Sequence, residues 1–339
     1  MNKRELIKAV LAGKQPAVVP YTMWSHMPQF DRDPVAITEK TYSFYKEYDI
    51  DLVKTMNNGM YSVEDFGCEI DYSEVIKGGV AKIIKTPINT GTDWKKIQEV
   101  SIEQGALKRE QQYLALLLEK LKGENVPVVF TVFSPVTTAD KMCGGKLTEY
   151  IAQGYGADIH AALEKIAMTT CKLVERVINM GADGVFLASQ MSSFAVSDEH
   201  FYAEYGVPYD KKVLNASKGW CNILHVHGED IMFDLLKDYP VQIFNWHAWQ
   251  SLPTVEEATL FTGKTLLGGI ERTNITKHHK NQLRHEIYET LKVTGGRHLI
   301  LAPGCVIRYP LDKEMLLYVK NVKLEVEQVL SNKQQSNLK

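Results

Sequence analysis

The stretch that decides the fold covers residues 163–188 and reads LEKIAMTTCKLVERVINMGADGVFLA. Up to Ile178, its apolar residues recur with a period of 3.6 residues, which predicts an amphipathic helix. Gly181 stands where the C-terminal cap of such a helix belongs. The short apolar run at residues 184–188 then predicts a strand that is buried on both faces. The stretch therefore predicts one helix followed by one strand of a parallel sheet.

The same alternation of a short apolar strand and a longer helix recurs along the chain. Short apolar runs bounded by glycine, proline or polar residues predict strands at 17–21, 51–56, 127–133, 184–188, 222–227, 241–246, 265–269 and 299–302. Such an alternation favours a single (β/α)₈ barrel of the TIM type over a doubly wound sheet. A doubly wound dinucleotide site would need a glycine-rich turn after the first strand, and residues 21–26 contain no glycine.

The barrel is predicted to occupy residues 1–330 as a single domain. Residues 57–100 are long for one connection, so we expect an excursion over one end of the barrel, with a hairpin near residues 80–86. The polar stretch 331–339 predicts a disordered tail.

Composition and charge give no support for a nucleic-acid or membrane partner, although a local basic patch stays open. The chain has 339 residues and a formal net charge of −2, which gives no electrostatic case for binding nucleic acid. Because there is no signal peptide and no apolar run long enough to cross a bilayer, we expect a cytoplasmic protein without a membrane partner. The five cysteines are widely spaced and form no C-x-x-C pair, which indicates reduced thiols rather than disulfides.

The strongest chemical signal is the sequence LHVHGE at residues 224–229. Residues two apart in a strand point to the same side, so His225 and His227 should project together with their Cα atoms roughly 6–7 Å apart. Cys305 follows the eighth predicted strand, and barrel closure would bring it near the fifth. Two imidazoles and one thiolate predict a metal site with an open fourth position, as in catalytic zinc sites. The alternative is a polar pair of histidines beside a small buried cysteine.

Other polar or aromatic side chains at strand ends are candidates for the same site. His247 and Glu271 are candidate catalytic residues, since each follows a strand and carries a group that can transfer a proton or bind a metal. Aromatic packing is the alternative for His247, and pairing with Arg272 is the alternative for Glu271. A substrate pocket is predicted from the strand-end residues Trp24, His26, Asn57, Tyr61, Gln190 and Asn245.

Taken together, the motifs resemble the uroporphyrinogen decarboxylase superfamily, most clearly over residues 181–322. The resemblance rests on GADG at 181–184, Phe201, Tyr205, Pro208-Tyr209, Lys212, HVHG at 225–228, FNW at 244–246, LGGIE at 267–271 and PGCV at 303–306. That superfamily includes cobalamin-dependent methyltransferases of the methylcobamide:coenzyme M methyltransferase kind. It implies a barrel of the uroporphyrinogen decarboxylase type, a small-molecule substrate, a corrinoid presented by a partner protein, and a homodimer as a further expectation.

Resemblance to the methyltransferase branch implies a Zn²⁺ site. That branch binds zinc through a His-x-Cys pair and a distant cysteine, which correspond here to His225, position 227 and Cys305. His227 therefore stands where the branch has cysteine. Exchanging a thiolate for a neutral imidazole makes the site one charge unit more positive, so the metal becomes a stronger Lewis acid and a bound thiolate a poorer nucleophile. The implied function is methyl transfer between a corrinoid and a thiol or related small acceptor.

Two other functions stay open at this point. One is a uroporphyrinogen decarboxylase-like lyase that acts on a tetrapyrrole or another carboxylated substrate. Such an enzyme would need a cationic pocket, for which Arg32, Arg272 and Arg308 are the evident candidates, and residues 57–61 lack the catalytic acid of the decarboxylase branch. The other is a non-catalytic subunit that binds a corrinoid protein.

Overall fold

The computed structural model describes residues 1–77 and 80–337. Its strands within these residues are β1 (Val53–Lys54), β2 (Glu69–Asp71), β3 (Lys82–Lys85), β4 (Val128–Phe133), β5 (Gly184–Ser189), β6 (Ile223–Val226), β7 (Ile243–Trp246), β8 (Thr265–Ile270) and β9 (Leu299–Pro303). Seven of them form one curled parallel sheet in the order β1-β4-β5-β6-β7-β8-β9. The antiparallel pair β2–β3 forms a separate small sheet, and it lies within the predicted excursion.

Helices precede and follow the strands of the parallel sheet. They are α1 (Lys3–Leu11), α2 (Pro34–Tyr48), α3 (Tyr61–Glu64), α4 (Gly105–Lys120), α5 (Pro135–Met142), α6 (Leu147–Tyr150), α7 (Gly156–Met180), α8 (Glu199–Tyr205), α9 (Val207–Ala216), α10 (Phe233–Leu236), α11 (Val255–Phe261), α12 (Arg272–Thr276), α13 (Lys280–Thr294) and α14 (Lys313–Asn337). The helix predicted from its 3.6-residue period is α7, and Gly181 caps it in the left-handed conformation at φ 117°.

Seven of the predicted strands are confirmed, but the first of the eight is not a regular strand. At residues 17–21, Tyr21 forms an isolated parallel bridge to Leu301 of β9. On its other side, the carbonyl of Tyr21 accepts a hydrogen bond from the Asp51 amide at 2.8 Å, just before β1. The segment thus bonds to both edges of the sheet. Pro20 has no amide hydrogen, which is one reason why the backbone ladder does not extend along this segment.

Helix α14 continues into the stretch for which the sequence predicts disorder. The described part of that stretch, residues 331–337, continues α14 as a helix. Extending an existing helix costs little because nucleation is the unfavourable step, and the local composition allows it. Among the described residues, no helix combines the length and the apolar character that crossing a bilayer requires.

Strand register places several predicted site residues side by side. His225 in β6 lies opposite Ala188 in β5 and Asn245 in β7. Strands β4, β5 and β8 are buried along their whole length, as predicted for strands covered on both faces. The carboxyl ends of β6, β7 and β9 consequently lie together at the same end of the sheet.

Candidate metal centre

Four side chains that can donate an electron pair to a metal ion converge at the carboxyl ends of these strands. His225 lies in β6, His227 and His247 directly follow β6 and β7, and Cys305 follows β9. The Sγ atom of Cys305 lies 3.8 Å from Nε2 of His225 and 3.5 Å from Nδ1 of His227. One donor atom from each of the four residues lies within 4.8 Å of the others. The predicted set of two histidines and one cysteine is therefore brought together, and His247 joins it.

The spacing of these donors suits a tetrahedral zinc ion. With Zn–S of about 2.3 Å and Zn–N of about 2.0–2.1 Å, tetrahedral geometry separates sulfur from nitrogen by about 3.6 Å. The two sulfur–nitrogen distances lie on either side of that value. In addition, Nε2 of His247 is buried and has no hydrogen-bond partner among the described residues. A buried nitrogen left without a partner is costly, and a metal ion would satisfy it. The donor set fits the zinc ion that resemblance to the methyltransferase branch implies.

Burial keeps the three imidazoles in the form that binds metals. Desolvation is the largest cause that lowers the pKa of His225 well below its usual value, and it lowers the pKa of His227 and of His247 to about 4. Neutral imidazole is the metal-binding form. Desolvation also raises the pKa of the Cys305 thiol. A cation beside that sulfur would favour the thiolate instead.

Asn245 orients the ring of His225. Its Nδ2 donates to the carbonyl of Leu267 at 2.6 Å and to that of Pro303 at 3.4 Å, which directs Oδ1 toward Nδ1 of His225 at 2.5 Å. Because an amide oxygen only accepts, Nδ1 of His225 carries the hydrogen and Nε2 keeps its lone pair toward Cys305. Asn245 thus lies behind His225 and not in the cavity wall, in the position of a residue that orients a metal ligand.

Gly304 allows the chain after β9 to approach the chain after β7. A Cβ atom at this position would lie 2.7 Å from the carbonyl oxygen of Trp246 and 2.8 Å from Cα of His247. Both contacts are with backbone atoms that cannot easily move, so a larger residue would push the two segments apart. The glycine in the Pro303-Gly304-Cys305 sequence therefore places the thiol beside the histidines.

Replacing Asn245 by leucine is expected to weaken zinc binding by about tenfold to a hundredfold, because His225 loses the acceptor that holds its ring and tautomer. Competition with a chromophoric chelator measures the affinity. Gln190→Leu is the matched control, since it also removes an amide from the site region, but one that forms no hydrogen bond with a donor histidine in the described part of the chain. Equal affinities for wild type and Asn245→Leu would show that the hydrogen bond has no such role.

The four residues His225, His227, His247 and Cys305 are called the donor cluster below. A cavity of about 320 Å³ opens in front of this cluster. His225, His227 and Cys305 form one part of its wall, and the aromatic rings of Phe133 and Phe186 form another. Four of the predicted pocket residues also line it, namely Trp24, His26, Asn57 and Gln190. The donors therefore face a space suited to a small molecule.

Tyr61 does not line this cavity, contrary to the prediction. Its hydroxyl donates to the carbonyl of Thr131 at 2.7 Å, and its ring packs against Phe130 and Phe133. The side chain is 1% exposed, so it belongs to the core below the site. The sequence could not distinguish a tyrosine facing the cavity from one that begins α3 and packs inward.

Glu271 lies beside the donor cluster rather than in the cavity. Its carboxylate accepts hydrogen bonds from Gln250 at 3.4 Å and from Asn274 at 3.3 Å, and also from the Thr273 hydroxyl. These contacts hold the start of α12. Arg272 does not pair with it but donates to the carbonyl of Val306 at 3.1 Å. We therefore do not propose Glu271 as a catalytic base.

Lys54 is a charged residue of the cavity wall that the sequence analysis did not predict. It lies in β1, is 9% exposed, and lines the cavity near the donor cluster. Its ammonium group lies 4.6 Å from the ring centroid of Phe186 and 5.8 Å from that of Trp24. Burial lowers the pKa of Lys54 to about 7. The signal that could have found it is a charged residue inside a predicted buried strand, residues 51–56.

The fold and the donor cluster define an α/β protein whose parallel sheet carries a candidate metal centre at its carboxyl edge. Residues 3–321 match uroporphyrinogen decarboxylase (URO-D), and the chain belongs to this family. The resemblance read from the motifs at residues 181–322 is thereby confirmed.

Named relatives lie among methyltransferases. The chain is 25% identical over 167 residues to methylcobamide:CoM methyltransferase MtbA of Methanosarcina mazei, a match that covers 49% of this chain and 48% of the relative. It is 23% identical, over the same shares, to the MtbA of Methanosarcina acetivorans. The aligned part thus spans about half the length of each of these relatives.

Solved structures share the fold. A methyltransferase from Methanosarcina mazei superposes with a TM-score of 0.82 at 16% identity, covering 96% of this chain and 99% of the other. A B12-independent methionine synthase from Shewanella, in complex with selenomethionine, superposes with a TM-score of 0.61 at 11% identity and covers 94% and 100%. At these identities the likeness shows the architecture and leaves the reaction to be argued from the site.

Proposed function

We propose that this chain is a zinc-dependent methyltransferase that moves a methyl group between a corrinoid carried by a partner protein and a small thiol. The observation that carries the proposal is the convergence of three imidazoles and one thiol on a single point that faces a cavity. The named MtbA relatives, which are methylcobamide:CoM methyltransferases, support the same reaction class.

His225, His227 and Cys305 would hold the metal, and His247 offers a further donor in the same cluster. Bound zinc would supply the Lewis acidity that makes a substrate thiol reactive near neutral pH. Asn245 would keep Nε2 of His225 available to the metal, and the rings of Trp24 and Phe186 give the cavity wall an apolar part for the stem of a small substrate.

The size of the cavity supports binding of the methyl acceptor by this chain and of the corrinoid by a second protein. At about 320 Å³ it is at the lower end of the range of ligand pockets, about 300–1,000 Å³, and suits a small acceptor. A corrinoid is much larger than such an acceptor. We therefore propose that the methyl donor is presented at the cavity mouth by a separate protein.

A lyase that acts on a carboxylated substrate is the second candidate. Lys54, Arg272 and Arg308 line the cavity, so its wall is cationic as well as aromatic. This favours an anionic ligand for either reaction. The two functions differ in their need for metal, because the lyase would work without the donor cluster.

The assay follows demethylation of methylcobalamin by its absorbance, with zinc-loaded protein and 2-mercaptoethanesulfonate or 3-mercaptopropionate as acceptor. The proposal expects turnover that depends on both zinc and thiol. No turnover with these thiols, either with free methylcobalamin or with a methylated corrinoid protein as donor, would count against it.

A His227→Cys variant is expected to methylate the thiol faster at high pH. One more thiolate makes the site less positive, so the substrate thiol has a higher pKa and its thiolate is more nucleophilic, by about threefold for each unit of pKa. The pH–rate profile should shift to higher pH in parallel. His227→Ala, which removes a donor without adding charge, is the control and should lose activity at every pH.

A further inference from the structure

The cavity in front of the donor cluster contains positive charge without compensating acid. Lys54, Arg272 and Arg308 contribute to its wall, and no aspartate or glutamate does so among the described residues. Arg308 is exposed at the rim, and Arg272 is engaged with a backbone carbonyl. A bound zinc ion would add further positive charge. The cavity is therefore built to receive a ligand with negative charge.

Lys54 is the most deeply buried cation of this cavity wall. Its Nζ donates to the carbonyl of Thr55 at 3.2 Å, and no carboxylate of the described residues forms an ion pair with it. The ammonium group also lies over the rings of Trp24 and Phe186. A buried ammonium group usually has a carboxylate or several polar partners, because burial without them is costly.

Another buried lysine of the same protein has the carboxylate partner that is usual for a buried ammonium group. Lys323 is 2% exposed, and its ammonium group lies 3.2 Å from the carboxylate of Glu327 one helical turn away. Lys54 is 9% exposed and has no equivalent partner in the described chain. The acidic group that acts on the charge of Lys54 is the Cys305 thiol, and a metal ion bound by that sulfur would already compensate it. Further counter-charge for Lys54 would therefore come from a ligand in the cavity.

We propose that Lys54 is the anion-binding subsite of the cavity and holds a single carboxylate or sulfonate at one end of the substrate. The inference rests on the proposed function for the thiol at the other end, which would face the donor cluster. A lysine ammonium is a compact point charge, and the adjacent rings of Trp24 and Phe186 suit an apolar stem. Polyanions are less suited, since they favour several bidentate arginines, and in this cavity Arg308 lies at the exposed rim.

The test compares thiols of similar size that differ in charge. Calorimetry on zinc-loaded protein measures the Kd of 3-mercaptopropionate, 2-mercaptoethanesulfonate and neutral 2-mercaptoethanol. Wild type is expected to bind the charged thiols at least about tenfold more tightly, the range expected for one charge-assisted hydrogen bond. In Lys54→Met this preference should disappear, while the Kd of 2-mercaptoethanol stays within about twofold.

Lys264→Met is the matched control. Lys264 is also partly buried, and burial lowers its pKa, but it lies directly before β8, at the opposite end of the strands from the cavity. It should keep the preference for charged thiols. Ethanesulfonate, which has no thiol, should compete in wild type and in Lys264→Met but not in Lys54→Met. Zinc content and melting temperature report whether each variant has folded, and Lys54→Arg, which keeps the charge, should retain part of the preference.

Two results would overturn the subsite: a wild type that binds neutral and charged thiols equally well, or a folded Lys54→Met that keeps the preference. The failure of the proposed function has a different signature. If charged ligands bind in a Lys54-dependent way but no methyl transfer occurs with any donor, the reaction is wrong while the subsite stands.

Discussion

Replacing Cys305 by alanine is expected to lower the affinity for zinc by at least about a hundredfold and to abolish methyl transfer. The thiolate is the only anionic donor of the described cluster, so its loss removes the strongest bond to the ion and the charge that compensates it. The variant should still fold, because Cys305 follows β9 and deletion of its small side chain leaves the strand pairing intact.

Zinc content after dialysis against a competing chelator measures this effect. Cys171→Ala is the matched control: Cys171 is also a buried free cysteine, but it lies in α7, away from the donor cluster. The control should hold as much zinc as wild type. If Cys305→Ala also holds zinc as tightly as wild type, the sulfur is not a ligand and the assignment of the site is incorrect.

Removal of the metal by dipicolinate is expected to reduce methyl transfer by at least about a hundredfold, and stoichiometric zinc should restore it. The expected loss is large because activation of the thiol near neutral pH depends on the Lewis acid. The far-ultraviolet circular dichroism should change little, since the donors lie at strand ends outside the continuous hydrophobic core. Activity and folding are thereby separated.

The same experiment distinguishes the two candidate functions. A lyase that relies on the cationic wall of the cavity would retain its activity on a carboxylated substrate after chelation. The methyltransferase would not act on its thiol substrate until zinc is returned. If the chelated protein kept its full methyltransferase activity, the reaction would not depend on zinc.

The donor cluster was predictable because its geometry follows from local rules. His225 and His227 share one side of a strand through the two-residue period, and Cys305 follows a strand that closes on the same edge. His247 was predicted as a candidate on the same grounds. Its contact with the cluster depends on the close approach of the segments at Gly304, which becomes visible only in the folded chain.

Whether Asn245 and Tyr61 face the cavity depends on side-chain direction, which the sequence does not give. Asn245 and Tyr61 both lie near strand ends, yet one is drawn behind His225 by backbone carbonyls and the other packs into the core. Lys54 was not predicted because a lysine within a short apolar strand usually points its charge into solvent. Only the packing of Trp24 and Phe186 around it shows that it is buried in the cavity wall.

Strand prediction succeeded where the apolar run is continuous, as in β4, β5 and β8. It failed at residues 17–21, where Pro20 lacks the amide hydrogen that a continuous backbone hydrogen-bond ladder needs. In the tail, polar composition favours solvation, while α14 can extend from a helix that is already nucleated by packing.

The most direct test of the metal centre is elemental analysis combined with X-ray absorption spectroscopy on protein purified without a histidine tag or chelators. The account predicts one zinc ion per chain, with one sulfur ligand and two or three nitrogen ligands. A protein that is pure, folded and free of stoichiometric metal, even after incubation with zinc, would contradict it, and so would a bound ion without a sulfur ligand.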